Sequence, residues 1–498
     1  MYIEFYKARK RRKFFRALTI YELGETMKST TQKQSRASQI TGLQRSYQEI
    51  TAYLDAHWHT PLKESMPTIV TFLESDLAIQ PKQQKTIIIS GSNGKSITAH
   101  FTTRLLQSEG LSVGTLLTPH TKAYTERISY NDEQISLQEF TDLGNTVLNA
   151  ANTRNIALPS SLVLDAIALL FFTKKQSDVL VIEANTNLVA QYGELYKTNV
   201  LVVTRITSEN TEQSEEKQLA IIAKIRSLIQ SGTHVISGDQ LKQHLQALET
   251  ITNEQNGIWE MPIRKLAPLG YPFEQIHGRC AALAERASSI YMNSWGTEEA
   301  TIVNESLLVK QKGKRGRPTL EAKQQAKLHP KKTIDQFWKD TLNELPSRFE
   351  LREEESPAVI LDNADNLDAL ENLLLGARLL HYKRPVKSLT LIMSAEAQNF
   401  ETESFVRAVR YFFKKTPGQI FICPLDQNNT PWTSPQGWDT SALAAEFTNK
   451  KVKASAFTSF AKAFEAAKDV SNPEDGLIVV TGSASIITSY LKYRGSAK

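Results

Sequence analysis

Lys85-Thr86-Ile87-Ile88-Ile89-Ser90-Gly91-Ser92-Asn93-Gly94-Lys95-Ser96 decides the reading of this chain. A β-branched apolar run breaks into a Gly-Ser-Asn-Gly-Lys-Ser turn, and a helical pattern then runs over Thr98–Glu109. A strand, a glycine turn and a helix N-terminus gather several backbone N–H groups around one point. Such a point suits a phosphate, and Lys95 adds a positive charge for its outer oxygens. The plain alternative is a strand-to-helix turn carrying an exposed lysine.

Outward from this loop, strand-like and helix-like segments alternate. Val113–Leu117, Asp178–Glu183, Asn199–Thr204 and His234–Ser237 read as strands; Leu137–Asn149, Leu162–Thr173 and Lys217–Gln230 read as helices. Ahead of the loop, Ile50, Tyr53 and Leu54, then Ile69, Phe72 and Leu73, recur at helical spacing. Strands apolar on both faces and separated by helices predict a parallel sheet covered on both sides. After Ile334 the alternation resumes. Strands are expected at Ala358–Leu361, Ser388–Met393, Gln419–Ile422 and Leu477–Val480, and helices at Leu367–Leu380, Phe400–Phe413 and Phe460–Asp469.

The fold class is therefore α/β: a central phosphate-loop ATP-binding domain over residues 41–299, then a smaller Rossmann-like domain over 334–498. Residues 1–40 are expected to form a disordered basic arm, and 300–333 a basic insertion or linker. Two-domain organisation suits 498 residues. The net charge of +6 is unevenly placed. Residues 1–16 carry +6 and residues 310–332 carry +8, which leaves the rest of the chain at −8. An acidic body argues against a nucleic-acid-binding fold. The run Gly313-Lys314-Arg315-Gly316-Arg317-Pro318 resembles an AT-hook only weakly, and is read as a solvated linker. No apolar run approaches the roughly 20 residues that span a bilayer. Two cysteines, Cys280 and Cys423, build no disulfide framework or metal spacing. The expected location is the cytoplasm, and the expected state a monomer.

The order of motifs resembles that of the folylpolyglutamate synthase/dihydrofolate synthase family, within the Mur ligase superfamily. Gly91-Ser92-Asn93-Gly94-Lys95-Ser96 is similar to that family's G-T-N-G-K-G. Thr118-Pro119-His120 with Glu126-Arg127-Ile128 matches S-P-H followed by E-R-I. Val179–Glu183 is similar to the strand ending in glutamate, Pro346–Glu350 to P-G-R-x-E, Leu361–Asn366 to L-D-G-A-H-N, and Val479–Ser483 to V-x-G-S.

The resemblance implies an ATP- and Mg²⁺-dependent ligase of folate biosynthesis and one-carbon metabolism. Such an enzyme activates the carboxylate of a folate or pteroate as an acyl phosphate and joins it to L-glutamate. Gly91, Ser92, Asn93, Gly94, Lys95, Ser96, Arg348 and Asp362 would then hold ATP. Lys95, His120 and Glu183 would be catalytic, and Thr118, Glu183 and Asn210 would face the metal. A carboxylate at the C-terminal end of a sheet strand beside a phosphate loop is well placed for magnesium.

Several positions depart from the pattern. Asn210 stands where the family has a histidine on a second magnesium, and Ile225 where it has a lysine that is carbamylated in many members. Asn363 and Asp365 replace Gly and His of D-G-A-H-N, and Ala184–Asn187 lack the glycines expected after Glu183. These departures leave open a weakened or inactive nucleotide-binding relative. A Mur-type cell-wall peptide ligase is the weaker alternative, because that class carries a larger α/β domain ahead of the loop. Phe171, Phe172, Trp338 and Phe349 read as core aromatics.

Overall fold

The computed structural model describes residues 42–207, 214–296, 337, 346–384, 386–426 and 437–495. The readings of the arm 1–40, of the insertion 300–333 with its basic run, of Asn210 and of Trp338 lie outside these described residues.

The first sheet contains β1 (Thr86–Ser90), β2 (Val113–Leu116), β3 (Ile128–Tyr130), β4 (Glu133–Gln134), β5 (Val179–Glu183), β6 (Thr198–Val203), β7 (His234–Ser237) and β8 (Ile258–Trp259). Their spatial order is β4-β3-β2-β5-β1-β6-β7-β8. β1 lies between β5 and β6 and runs parallel to both. Its pleat sends Ile88 to one face and Ile87 and Ile89 to the other, and each face is covered by its own apolar cluster. Two-sided burial explains why these strands are apolar throughout.

Covering helices include Leu137–Arg154, Ser160–Lys175, Lys95–Ser108 and Phe273–Trp295. Two short helices precede the loop, Tyr47–Ala56 and Met66–Asp76. The first is fixed by a capping box in which Ser46 and Glu49 satisfy each other's backbone N–H. Ile50, Leu54, Ile69, Phe72 and Leu73 are buried as their spacing predicts. Phe171, Phe172 and Phe349 are core residues.

The second sheet contains β9 (Glu350–Arg352), β10 (Ala358–Asp362), β11 (Ser388–Met393), β12 (Gly418–Ile422), β13 (Ala454–Ala456) and β14 (Gly476–Thr481). It is ordered β13-β12-β11-β14-β10-β9, all parallel except β9. Helices Leu367–Lys383, Thr402–Lys415 and Thr440–Asn449 cover one face; Phe460–Val470 and Ala484–Tyr493 cover the other. No helix among the described residues is long and apolar enough to cross a membrane.

One expected boundary is corrected. The helix after the loop begins at Lys95, not Thr98. Gly94 serves as its N-cap with φ +86°, a left-handed conformation that glycine adopts without strain, so the polar residues Lys95 and Ser96 already lie in the first turn.

Candidate functional site

The anion cradle forms as the strand–turn–helix pattern predicts. Gly91 (φ +126°) lets the chain leave β1, and a Cβ there would meet Thr204 Oγ1 at 2.4 Å. The helix start carries no side-chain cap and no acidic residue in its first turn, so its N–H groups are left for an anion. The loop's outer wall is the segment after β6. Ser92 N–H donates to the Arg205 carbonyl (2.6 Å), and the Ser92 hydroxyl exchanges bonds with Thr207. Lys95 Nζ donates to the Ser92 carbonyl (2.9 Å), which keeps the ammonium over its own loop.

Two residues predicted separately, Glu183 and Arg348, meet at Ser96, and a third, Thr118, joins them through Glu183. The Ser96 hydroxyl donates to Glu183 Oε1 (3.1 Å), and Arg348 Nη2 donates to Ser96 Oγ (3.1 Å). Glu183 Oε2 accepts from the Thr118 N–H at 3.3 Å. β5 pairs with β1 so that Glu183 is level with Ile89, which puts the carboxylate at the mouth of the loop. Glu183 is 2% exposed. A surface acid serving one ion pair is therefore excluded.

The donor set fits magnesium. A carboxylate, the Ser96 hydroxyl and the Thr118 segment offer hard oxygen donors beside a phosphate cradle, and Mg²⁺ is commonly held by one or two carboxylates plus substrate phosphates. No cluster of three or more His, Cys, Asp or Glu side chains exists among the described residues.

The far side of the site comes from the second sheet. Asp362, at the end of β10, accepts from the Phe349 N–H (2.7 Å) rather than opening an Asx turn of its own. Burial pushes its carboxyl up to about 6, opposed by the Arg348 charge and by that hydrogen bond. The carboxylate thus ties the turn bearing Arg348 to the strand end.

His120 is recast. Arg127 Nε donates to His120 Nδ1 (2.8 Å), so the ring proton is assigned to Nε2. Burial, then the Arg127 charge, push the imidazole down to about 2. Both causes favour the neutral ring, which carries one N–H. Arg127 is itself buried and stacks over Trp58 and Tyr124, at 4.7 and 5.5 Å from their ring centres.

The sequence reading missed Asp165. It sits in the apolar run Leu162–Phe172 and reads there as a stray polar residue. The structure buries it and gives it Gln191 Nε2 (2.7 Å) and the Tyr192 hydroxyl (3.2 Å) as donors. Burial raises its carboxyl to about 7; the two donors and the Arg127 charge only partly offset this. A carboxyl raised on folding binds its proton more tightly folded than unfolded, so stability falls as pH rises through the window between about 4 and 7. Asp165→Asn is expected to be more stable than the parent chain at pH 8, by on the order of 1–3 kcal/mol. That advantage shrinks as pH falls towards 4, as read by denaturant midpoints across pH.

No family model matches the chain. It is 33% identical over 132 residues to a probable bifunctional folylpolyglutamate synthase/dihydropteroate synthase of Halobacterium salinarum, a match covering 25% of this chain and 16% of that protein's length. It is 27% identical over 344 residues to the dihydrofolate synthase/folylpolyglutamate synthase of Bacillus subtilis, covering 65% of this chain and 75% of that one. The fold matches that of the bifunctional folylpolyglutamate synthase/dihydrofolate synthase of Yersinia pestis complexed with AMPPNP and Mn ion, at TM-score 0.67 and 17% identity over 92% of this chain and 99% of that one. The chain is thus similar in sequence and in fold to folylpolyglutamate synthase/dihydrofolate synthases.

Two departures from the folylpolyglutamate synthase pattern now have a physical description. Ile225, at the lysine position, is fully buried in the core, while Lys224 lies exposed on the other side of its helix. The position therefore offers no donor to a second metal. Ser347 stands where the family's P-G-R-x-E has glycine, and it holds φ +56°. L-residues pay about 1 kcal/mol for that conformation. Ser347→Gly is expected to stabilise the chain by about 0.5–1 kcal/mol in urea unfolding, because the turn's bonds to Glu350 and Asn363 use only the backbone of Ser347.

Proposed function

We propose that this chain is a member of the folylpolyglutamate synthase/dihydrofolate synthase family and joins L-glutamate to the carboxylate of a folate or pteroate in an ATP- and magnesium-dependent reaction. It would work in a reducing cytoplasm, with domain limits at 41–299 and 334–498. The observation that carries the reading is the convergence of Glu183 and Arg348 on Ser96, at the mouth of the phosphate loop.

In this reading the loop N–H groups and Lys95 bind the β and γ phosphates, and Arg348 approaches them from the second sheet. Glu183, Thr118 and Ser96 would hold Mg²⁺, which when bound neutralises phosphate charge. A carboxylate oxygen of the folate or pteroate attacks the γ phosphorus as the bond to ADP breaks. The glutamate amine then attacks the acyl carbon; inorganic phosphate leaves, an amide forms, and the amine loses its proton. The chain contributes alignment and charge rather than covalent chemistry. His120, fixed by Arg127, supplies a neutral N–H donor, and Asp362 sets the Arg348 turn.

The test is direct. The full chain with ATP, Mg²⁺, L-glutamate and either dihydropteroate or tetrahydrofolate should yield ADP and the glutamyl conjugate in equal amounts. ADP without conjugate, or neither product, would overturn the reading.

A further inference from the structure

The two sheets meet at a point the reaction as described leaves unused. Asn93, inside the phosphate loop, donates from Nδ2 to Asn366 Oδ1 (3.0 Å) and Asp368 Oδ2 (2.8 Å), and Asn366 returns a bond to Asn93 Oδ1 (2.8 Å). The other oxygen of Asp368 is taken by Arg205 Nη2 at 2.7 Å. Arg205 belongs to the segment that forms the loop's outer wall, and its backbone pairs with Asn93. Both Asp368 oxygens are thus fastened to the cradle, one by the loop itself and one by the wall.

Asn366 caps the helix Leu367–Lys383 by accepting from Ala369 N–H, and Asp368 lies in its first turn. The contact therefore grips a rigid element of the second sheet. That same sheet carries Arg348, whose Nη2 reaches Ser96 across the gap.

We propose that Arg205 and Asp368 form a positioning pair that registers the second domain over the phosphate loop, so that Arg348 is delivered to Ser96. The proposal rests on the ligase reading for its kinetic consequence, but not for its structural one. Arg205 is 63% exposed, and its charge pairing is open to solvent and salt. The pair acts through placement and touches no substrate.

The experiment compares the full-length chain with Arg205→Ala, Arg205→Asp, Asp368→Arg, and the exchange carrying both Arg205→Asp and Asp368→Arg. Small-angle scattering reads domain separation, and ligation kinetics with ATP·Mg²⁺ reads function. Arg205→Ala should lower kcat about fivefold, and each charge reversal about thirtyfold, with KM for ATP within about threefold, since an exposed pair is modest and a reversal adds repulsion. The reversals should increase the radius of gyration, and the exchange should recover both compactness and most of kcat. Singles that change neither readout, or an exchange no better than the worse single, overturn the pair. If the parent chain ligates nothing but the scattering pattern holds, the pair stands and the ligase reading falls.

Discussion

Lys95→Ala is expected to lower ligation by about 10³-fold while leaving the fold intact, a loss of the size seen when a preorganised donor to developing charge is removed. In this chain the ammonium is the cation that the loop itself places at the helix start, and phosphoryl transfer depends on neutralising charge on the moving group. Its hydrogen bond is to the carbonyl of Ser92 within the same turn, so its removal opens no cavity and unpairs no buried partner. The thermal midpoint should stay within a degree or two. Calorimetry with ADP should show weaker binding, because the loop N–H groups remain but the point charge is gone. Turnover within tenfold of the parent chain would show that Lys95 is only an exposed residue of a strand-to-helix turn.

The loop was legible because its signal is local. A β-branched run buried on both faces, two glycines needing positive φ, and a helix start all fall within a dozen residues. Glu183 was legible for the same reason, as a charge ending the apolar run Val179–Ile182. Where the reading fell short, the cause was distance or weak contrast. The contact of Asn93 with Asn366 and Asp368 joins residues some 270 positions apart, and no local pattern reports it. The helix Phe273–Trp295, which packs behind the loop, buries small residues such as Ala281, Ala282, Ala284 and Ser288. An apolar stripe built from alanine and serine has little periodic contrast with its polar face. Its closeness is nevertheless strict: a Cβ on Gly94 would meet Cys280 Sγ at 2.9 Å. Asp165 was hidden differently. Its donors Gln191 and Tyr192 lie on another helix, beyond β5, and only the folded chain brings them to it.

Glu183→Gln is expected to lower ligation by about 10²–10³-fold, by analogy with the loss of one transition-state charge stabiliser. One oxygen accepts from the Ser96 hydroxyl and the other from the Thr118 N–H. Glutamine keeps the shape but removes the charge and replaces one acceptor with an NH₂ group. With the amide oxygen on the Thr118 N–H and the NH₂ on Ser96, the hydroxyl accepts instead of donating, so the fold should lose little stability while the site loses its charge. The sharper readout is magnesium dependence. The parent chain should saturate at lower Mg²⁺ than the variant, because a neutral amide is a far poorer partner for a hard dication. Glu183→Asp separates charge from reach: it keeps the negative charge but withdraws it by one methylene. Raised Mg²⁺ should restore a substantial part of its activity and little of the glutamine variant's. ADP binding measured without metal should change less than threefold in either variant, since the loop and Lys95 remain. If all three proteins share one magnesium dependence, Glu183 serves only to tie the Thr118 segment to Ser96, and the metal is held elsewhere.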